Sequence, residues 1–184
     1  MKTDRPILYI FSGLPGSGKT TLAQAITQQL EAAYLRIDTI EQVLRDLCAI
    51  NVQGEGYQMA YRIAADNLQQ GMSVIADSCN PIALTRHAWA QVAQDAHAHY
   101  INIEVICTDP VEHRHRVETR AGTVPGLTLP TWQDVANREY HAWAGERIII
   151  DTAGKSIADS VDALLYRLAH HVQTDHTLCR PTQV

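Results

Sequence analysis

The sequence is short of several things, and each shortage removes a class of protein. No run of apolar residues approaches the length of a membrane span, so a helix crossing a bilayer is not expected. The start, from Met1 to Pro6, lacks the apolar core of a secretory signal. Cysteine is sparse: Cys48, Cys79, Cys107 and Cys179 are scattered, with no C-x-x-C pair. That spacing fits reduced thiols in a cytoplasmic protein better than a disulfide frame or a zinc site. Basic charge is also short, with 15 Lys and Arg against 20 Asp and Glu and a net charge of -5. Broad, sequence-independent binding to nucleic acid wants the opposite balance. The nine histidines include His97/His99, His113/His115 and His170/His171, but no matching Cys or carboxylate cluster accompanies them, so they are not read as metal ligands. There is no internal repeat. At 184 residues the chain suits one domain with a proper core.

What the chain does have is concentrated near its beginning. Gly13 to Thr20 reads Gly-Leu-Pro-Gly-Ser-Gly-Lys-Thr, which completes the phosphate-binding pattern G-x-x-x-x-G-K-[ST]. The apolar run Ile7 to Phe11 before it reads as a buried strand, and Thr21 to Leu30 after it reads as a helix. Strand, glycine-rich loop and helix N-terminus together form an anion cradle. Gly13, Gly16 and Gly18 let backbone N–H groups turn inward around phosphate oxygens. Lys19 can reach the β- and γ-phosphates, and the Thr20 hydroxyl can ligate Mg²⁺. The reading is a nucleoside triphosphate site, with ATP and Mg²⁺ as cofactors and Gly13, Pro15, Gly16, Ser17, Gly18, Lys19, Thr20 and Thr21 as its contacts.

Short strand-like runs recur along the chain at Ala33–Ile37, Met72–Ala76, Tyr100–Cys107 and Arg147–Ile150. Helical periodicity fills Ile40–Ile50, Tyr57–Gln70, Ala83–Ala96 and Val111–Arg120. This alternation predicts an α/β fold: a five-stranded parallel sheet covered by helices in three α/β/α layers. Residues 1–172 would make the single domain, with a small lid over about 116–140 and a polar tail over 173–184. In such sheets ligands bind beyond the carboxyl ends of the strands. Acids stand just there, at Asp38, Asp77, Asp109 and Asp151, and suggest a shared cleft. Gly122–Thr131 is broken by Gly and Pro and reads as a flap.

Moving a phosphoryl group calls for alignment and charge neutralisation more than covalent help. Asp77, at the end of a strand, is read as a metal-holding acid, though it could instead touch the acceptor. Asp38 could accept the proton of an acceptor hydroxyl; the alternative is an N-cap for the helix near Thr39. Arg116 and Arg120 are four apart, so a helix would project both from one face. They suit a nucleotide clamp, or else ion pairs with Glu112 and Glu118. Arg86 could face the acceptor pocket, whereas Trp89 reads as core. Tyr57, Tyr61 and Arg62 could wall that pocket or lie at the surface.

Taken together, these residues resemble the small P-loop kinases of the AAA-type "predicted kinase" family. That group is similar to chloramphenicol phosphotransferase, the kinase domain of polynucleotide 5′-kinase, gluconate kinase and adenylylsulfate kinase. The resemblance covers roughly residues 7–170 and rests on Gly13–Thr20, Asp38, the Asp77-Ser78-Cys79-Asn80 segment, the Arg116/Arg120 pair and Ile150-Asp151-Thr152. It implies Lys19, Asp38 and Arg120 as catalytic groups, with Asp38 activating the acceptor. It implies Arg116 and Thr152 as nucleotide contacts, beside the motif and strand-end readings of Thr20 and Asp77 at the metal given above. The implied reaction is ATP-dependent transfer of the γ-phosphoryl group to a hydroxyl of a small molecule. A nucleoside or polynucleotide 5′-hydroxyl kinase and a non-kinase NTPase switch are the rivals. One departure bears on the acceptor. Glu41 stands where polynucleotide kinase-like members carry an arginine for an acceptor phosphate, which favours a neutral or cationic hydroxyl compound over a nucleic-acid end.

Overall fold

The fold is that of a computed structural model, which describes the backbone of residues 5–178 and the side chains of residues 5–171. Five strands, β1 (Ile7–Ser12), β2 (Ala33–Arg36), β3 (Val74–Asp77), β4 (His99–Ile106) and β5 (Ile148–Asp151), form one sheet in the order β2-β3-β1-β4-β5. Every pairing is parallel. Parallel strands need crossovers, and helices supply them: α1 (Lys19–Thr27), α2 (Ile37–Cys48), α3 (Glu55–Gln69), α4 (Ala83–Asp95), α5 (Pro110–Thr119) and α6 (Trp132–Ala136), while α7 (Ile157–Leu178) follows the last strand. The predicted sheet and its helical cover are both present.

The central strand explains why its sequence is continuously apolar. Ile7, Tyr9 and Phe11 point into a core shared with Leu22 and Ile26 of α1 and Leu164 and Leu168 of α7. Leu8 and Ile10, one residue out of phase, point into a second core with Ala60, Ala64 and Leu68 of α3 and Trp89 of α4. A strand alternates its faces residue by residue, so a strand covered on both sides has no polar position to spare. Trp89 is core, as its sequence context suggested, and meets Tyr61 edge to face at 4.6 Å.

Boundaries differ at informative places. Ile37 ends the predicted second strand but begins α2. The cap of α2 is therefore Arg36, in extended conformation, and no side chain caps the helix. Asp38 lies inside the first turn, so the N-cap alternative for Asp38 does not hold. α6 was not expected. It is a five-residue helix started by a capping box in which Thr131 and Asp134 satisfy each other's backbone N–H groups. α7 runs to Leu178, through the first residues of the expected tail, and residues 179–184 lie outside the described residues. None of the helices among the described residues is long and apolar enough to cross a membrane.

Candidate active site

The first step is the turn between β1 and α1. Gly13, Gly16 and Gly18 all take positive φ, at 147°, 84° and 97°. At Gly13 this is obligatory: a Cβ there would lie 2.3 Å from the Val105 carbonyl oxygen and 2.9 Å from Ser17 Oγ. We expect Gly13→Ala to abolish nucleotide binding by calorimetry, because Val105 is backbone in the sheet and cannot retreat. α1 begins at Lys19 with no side-chain cap on its first N–H groups. Uncapped N–H groups at a helix start are an anion site. Ser17 Oγ is buried without a partner. The cradle therefore offers donors that the protein itself does not satisfy.

His113 of α5 supports the loop from beneath. Its Nε2 lies 2.9 Å from the Pro15 carbonyl oxygen, which can only accept, so the imidazole carries its proton on Nε2. The ring also stands edge-on to Trp132 of α6, 5.4 Å between centroids. The phosphate loop and α6 thus share one support. Nothing in the sequence singled out His113, whose one clue is that it shares the buried face of α5 with Val117.

A cavity of about 1100 Å³ opens from the cradle across the carboxyl edge of the sheet. It is lined by Pro15, Gly16, Gly18, Lys19, Thr20 and Thr21, and also by Asp38, Arg116, Arg120 and Thr152. The structure therefore gathers most of the residues expected at the site around one space. Gly13, Ser17 and Asp77 are not in the lining. Asp77 is buried at the end of β3, where Tyr34 Oη donates to its Oδ2 at 2.7 Å. Burial, and then the Asp77 carboxylate, push the Tyr34 phenol far above its ordinary pKa, so this hydrogen bond keeps its proton on tyrosine.

The acids at the strand ends divide by task. Only Asp38 lines the cavity. Asp109 caps α5, accepting from Val111 N and Glu112 N. Asp151 ties two loops, accepting from the backbone N and hydroxyl of Thr108 and from Ala153 N. The shared acidic cleft expected from the sequence is thus reduced to Asp38, with Asp77 behind it. Loops after strands need caps and turn anchors, and Asp is the residue that supplies them.

Arg116 reaches back from the last turn of α5 to Thr152, donating to its Oγ1 at 2.8 Å and its carbonyl at 2.9 Å. Its other partner is Glu112 one turn earlier, whose second oxygen accepts from Gly154 N at 2.8 Å. The Gly154 N–H first, and then Arg116, hold the Glu112 carboxyl below its usual range. Thr152 Oγ1 in turn donates to the Ser17 carbonyl at 2.9 Å. Clamp and ion pair were posed as alternatives for Arg116, and the pairing with Glu112 is present.

Arg120 is different. It follows the end of α5 in extended conformation, so it does not share a helical face with Arg116 as the spacing suggested. Its Nε and Nη2 are buried without a hydrogen-bond partner. Burial draws its pKa below the ordinary arginine value, Asp38 opposes that shift, and Arg138 and Arg36 add to it. Arg36 lies at the end of β2, with Nη2 3.9 Å from Asp38 Oδ2. Its Nη1 donates to Thr123 Oγ1 of the flap at 2.9 Å. The flap also packs tightly on α2, where Gly126, at φ 78°, places its Cα so close that a Cβ would meet Gln42 Nε2 at 3.0 Å.

Arg86 does not face the cavity. It is buried under residues 140–143, donating to the carbonyls of Asn80, Pro81, His141 and Ala142. Its guanidinium lies 4.0 Å from the Trp143 ring centroid. Backbone carbonyls and an aromatic face satisfy it, so its role is to hold that segment against the loop after β3. Tyr57 Oη accepts from Asn80 N at 3.1 Å and, with Tyr61, packs in the second core; neither lines the cavity.

The residues present fit Mg²⁺ as an oxygen-ligated ion. Thr20 faces the cavity, and no group of three or more His, Cys, Asp or Glu among the described residues would cage a metal. Mg²⁺ is commonly bound by few protein ligands together with phosphates and water. Thr20 would hold it directly, and Asp77, with Oδ2 engaged by Tyr34, would do so through water.

Comparison with known proteins agrees with this anatomy. A family model described as an AAA domain matches residues 8–138. An uncharacterised protein of Mycobacterium tuberculosis is 29% identical over 162 residues, 80% of this chain and 32% of that protein. The chain thus spans about a third of the length of the first curated relatives it matches. An adenylyl-sulfate kinase of Shewanella halifaxensis is 26% identical over 182 residues, 91% of this chain and 84% of that enzyme. A gluconokinase from Sinorhizobium meliloti 1021 has the same fold, with a TM-score of 0.69 at 15% identity, covering 97% of this chain and 100% of that one.

Proposed function

Because this chain belongs to the AAA domain family, whose model takes in both the phosphate loop and the lid helix, we propose that it is an ATP-dependent phosphotransferase acting on a hydroxyl of a small molecule. The observation that carries this reading is the single cavity in which Lys19 and Thr20 share space with Asp38 and Arg120. A triphosphate seated in the cradle extends its terminal group toward Asp38. Family membership alone fixes no reaction, but a carboxylate and a partnerless guanidinium at the far end of a phosphate site are what group transfer needs. The names of two relatives, adenylyl-sulfate kinase and gluconokinase, add support.

The roles follow from placement. Backbone N–H groups of the loop and Lys19 hold the β- and γ-phosphates. When bound, Mg²⁺ supplies charge neutralisation at the phosphates. An acceptor hydroxyl between Asp38 and the γ-phosphorus loses its proton to Asp38 as its oxygen bonds to phosphorus. The bond from phosphorus to the β–γ bridging oxygen breaks, and ADP keeps that oxygen. Arg120 neutralises charge on the moving group. The flap, tied to Arg36 through Thr123, keeps water from competing as acceptor.

Arg116 acts on nucleotide binding, through the position of Thr152. We expect Arg116→Ala to raise KM for ATP by about 10-fold with a smaller change in kcat, the pattern of lost uniform binding; steady-state kinetics at saturating acceptor reads it. The reading as a whole is tested by mass spectrometry on a mixed library of hydroxyl compounds supplied with ATP and Mg²⁺. A phosphorylated product that vanishes in Asp38→Asn supports it. Hydrolysis of ATP with no acceptor phosphorylated, together with a stable protein complex, returns the protein to the switch class.

A further inference from the structure

The charge around the acceptor end of the cavity is not what the sequence led one to expect. Glu41 suggested a neutral or cationic acceptor, but its carboxylate lies 3.1 Å from Arg45 Nη2, one helical turn on. Burial raises its pKa, with Arg45 opposing. Its charge is thus answered within α2. Asp134, the third acid in the lining with Asp38 and Glu41, accepts from the backbone N and hydroxyl of Thr131 and keeps its charge within reach of Arg138. What remains is three guanidiniums from three separate elements facing two carboxylates, Asp38 and Asp134. Arg36 ends β2, Arg120 follows α5 and Arg138 follows α6, and all three line the cavity with Asp38.

These cations exceed the needs of a nucleotide. Lys19 and Arg116 already stand at the nucleotide end, and Lys155 lines the cavity beside Thr152 and Ser156. Arg120 has two buried nitrogens without a partner, and Arg36 has a third at Nε. Buried donors left unpaired are costly, and charged ones more so. Like charges gathered in excess of their counter-charges are costly too. Such an arrangement persists when a ligand completes it.

We infer that the acceptor is an anion: a hydroxyl compound that also bears a carboxylate, sulfate or phosphate group, bound by Arg36 and Arg138 while Arg120 is left to the transferring phosphoryl group. This rests on the phosphotransferase reading and deepens it. Arginine is the residue suited to such a group, since its planar fork matches carboxylate and phosphate oxygens in pairs. Arg36 and Arg138 also hold different borders of the site, the sheet edge and the lid, so one anion between them would draw the lid onto the acceptor.

The experiment has two arms. In the first, inorganic sulfate is titrated into protein saturated with Mg²⁺ and a non-hydrolysable ATP analogue, which occupies the phosphate loop, and binding is read by calorimetry. One saturable site is expected, weakened at least ~10-fold in Arg36→Gln/Arg138→Gln, as loss of a charge-assisted contact predicts, with analogue affinity unchanged. Arg138→Gln alone guards against a folding defect from loss of the Arg36–Thr123 contact. In the second arm, hydroxy acids are paired with their amides, and phosphate monoesters of diols with the parent diols, as acceptors for ATP. The anionic member of a pair should win by at least ~10-fold in kcat/KM, chiefly through KM, and the double variant should erase that preference. Which pair shows the preference names the anion. Absence of sulfate binding, binding indifferent to both arginines, or preference for the neutral members overturns the inference while leaving a kinase in place. If no compound is phosphorylated at all, the phosphotransferase reading fails, and the sulfate arm still decides whether Arg36 and Arg138 form an anion site.

Discussion

Arg120→Gln should lower single-turnover phosphoryl transfer by about 1,000-fold while nucleotide affinity holds within a few-fold. The size comes from the worth of an arginine that meets charge developing on a phosphoryl group, about 10³–10⁵ in rate. The assignment comes from its surroundings. Arg116 is satisfied by Thr152 and Glu112, whereas Arg120 keeps Nε and Nη2 buried and unpartnered. A guanidinium held without partners has been desolvated in advance, so its field acts at nearly full strength when charge arrives. Because the effect depends on charge that appears only in the transition state, kcat and kcat/KM should fall together. Arg120→Lys should recover little, since a point charge on a flexible stem does not reproduce the fork. Retention of kcat in Arg120→Gln would remove Arg120 from the transfer step and reduce it to part of the lid's attachment.

The sequence made part of this arrangement legible and hid the rest for identifiable reasons. The cradle was readable because glycines, lysine and threonine at fixed spacing have few other uses, and because the strand before them is apolar on both faces. The alternation of periods two and three to four was enough for the parallel sheet. What escaped depends on contacts between residues far apart in sequence. Tyr34 meets Asp77 across 43 positions, and His113 meets Pro15 across 98. Neither tyrosine nor histidine announces such a role in its own neighbourhood. Asp109 and Asp151 were over-read, since an acid after a strand serves a backbone N–H as readily as a ligand. Glu41 was weighed without Arg45, which stands one turn on along α2 and pairs with it at 3.1 Å. Arg86 was misplaced because burial of a guanidinium under carbonyls and Trp143 leaves no local mark.

Asp38→Asn tests the other half of the chemistry, and we expect transfer to fall by at least ~100-fold with ATP affinity unchanged, the loss typical of a missing general base. Asp38 and Asp77 are both acids after strands of the same sheet edge, yet the protein treats them differently. Asp77 is buried and bound by Tyr34, which fixes its carboxylate behind the cavity wall. Asp38 lines the cavity with its side chain 49% exposed, and it sits in the first turn of α2. Arg36 is 3.9 Å away, too long for a tight hydrogen bond, so no partner competes for the proton that Asp38 must take up. Asparagine keeps the size and the hydrogen-bonding reach of the side chain but cannot accept that proton, so acceptor KM should move less than kcat. Were turnover to survive in Asp38→Asn while the product stayed the same, the proton would have to leave by water or by the phosphate itself, and Asp38 would be a residue that only orients the acceptor.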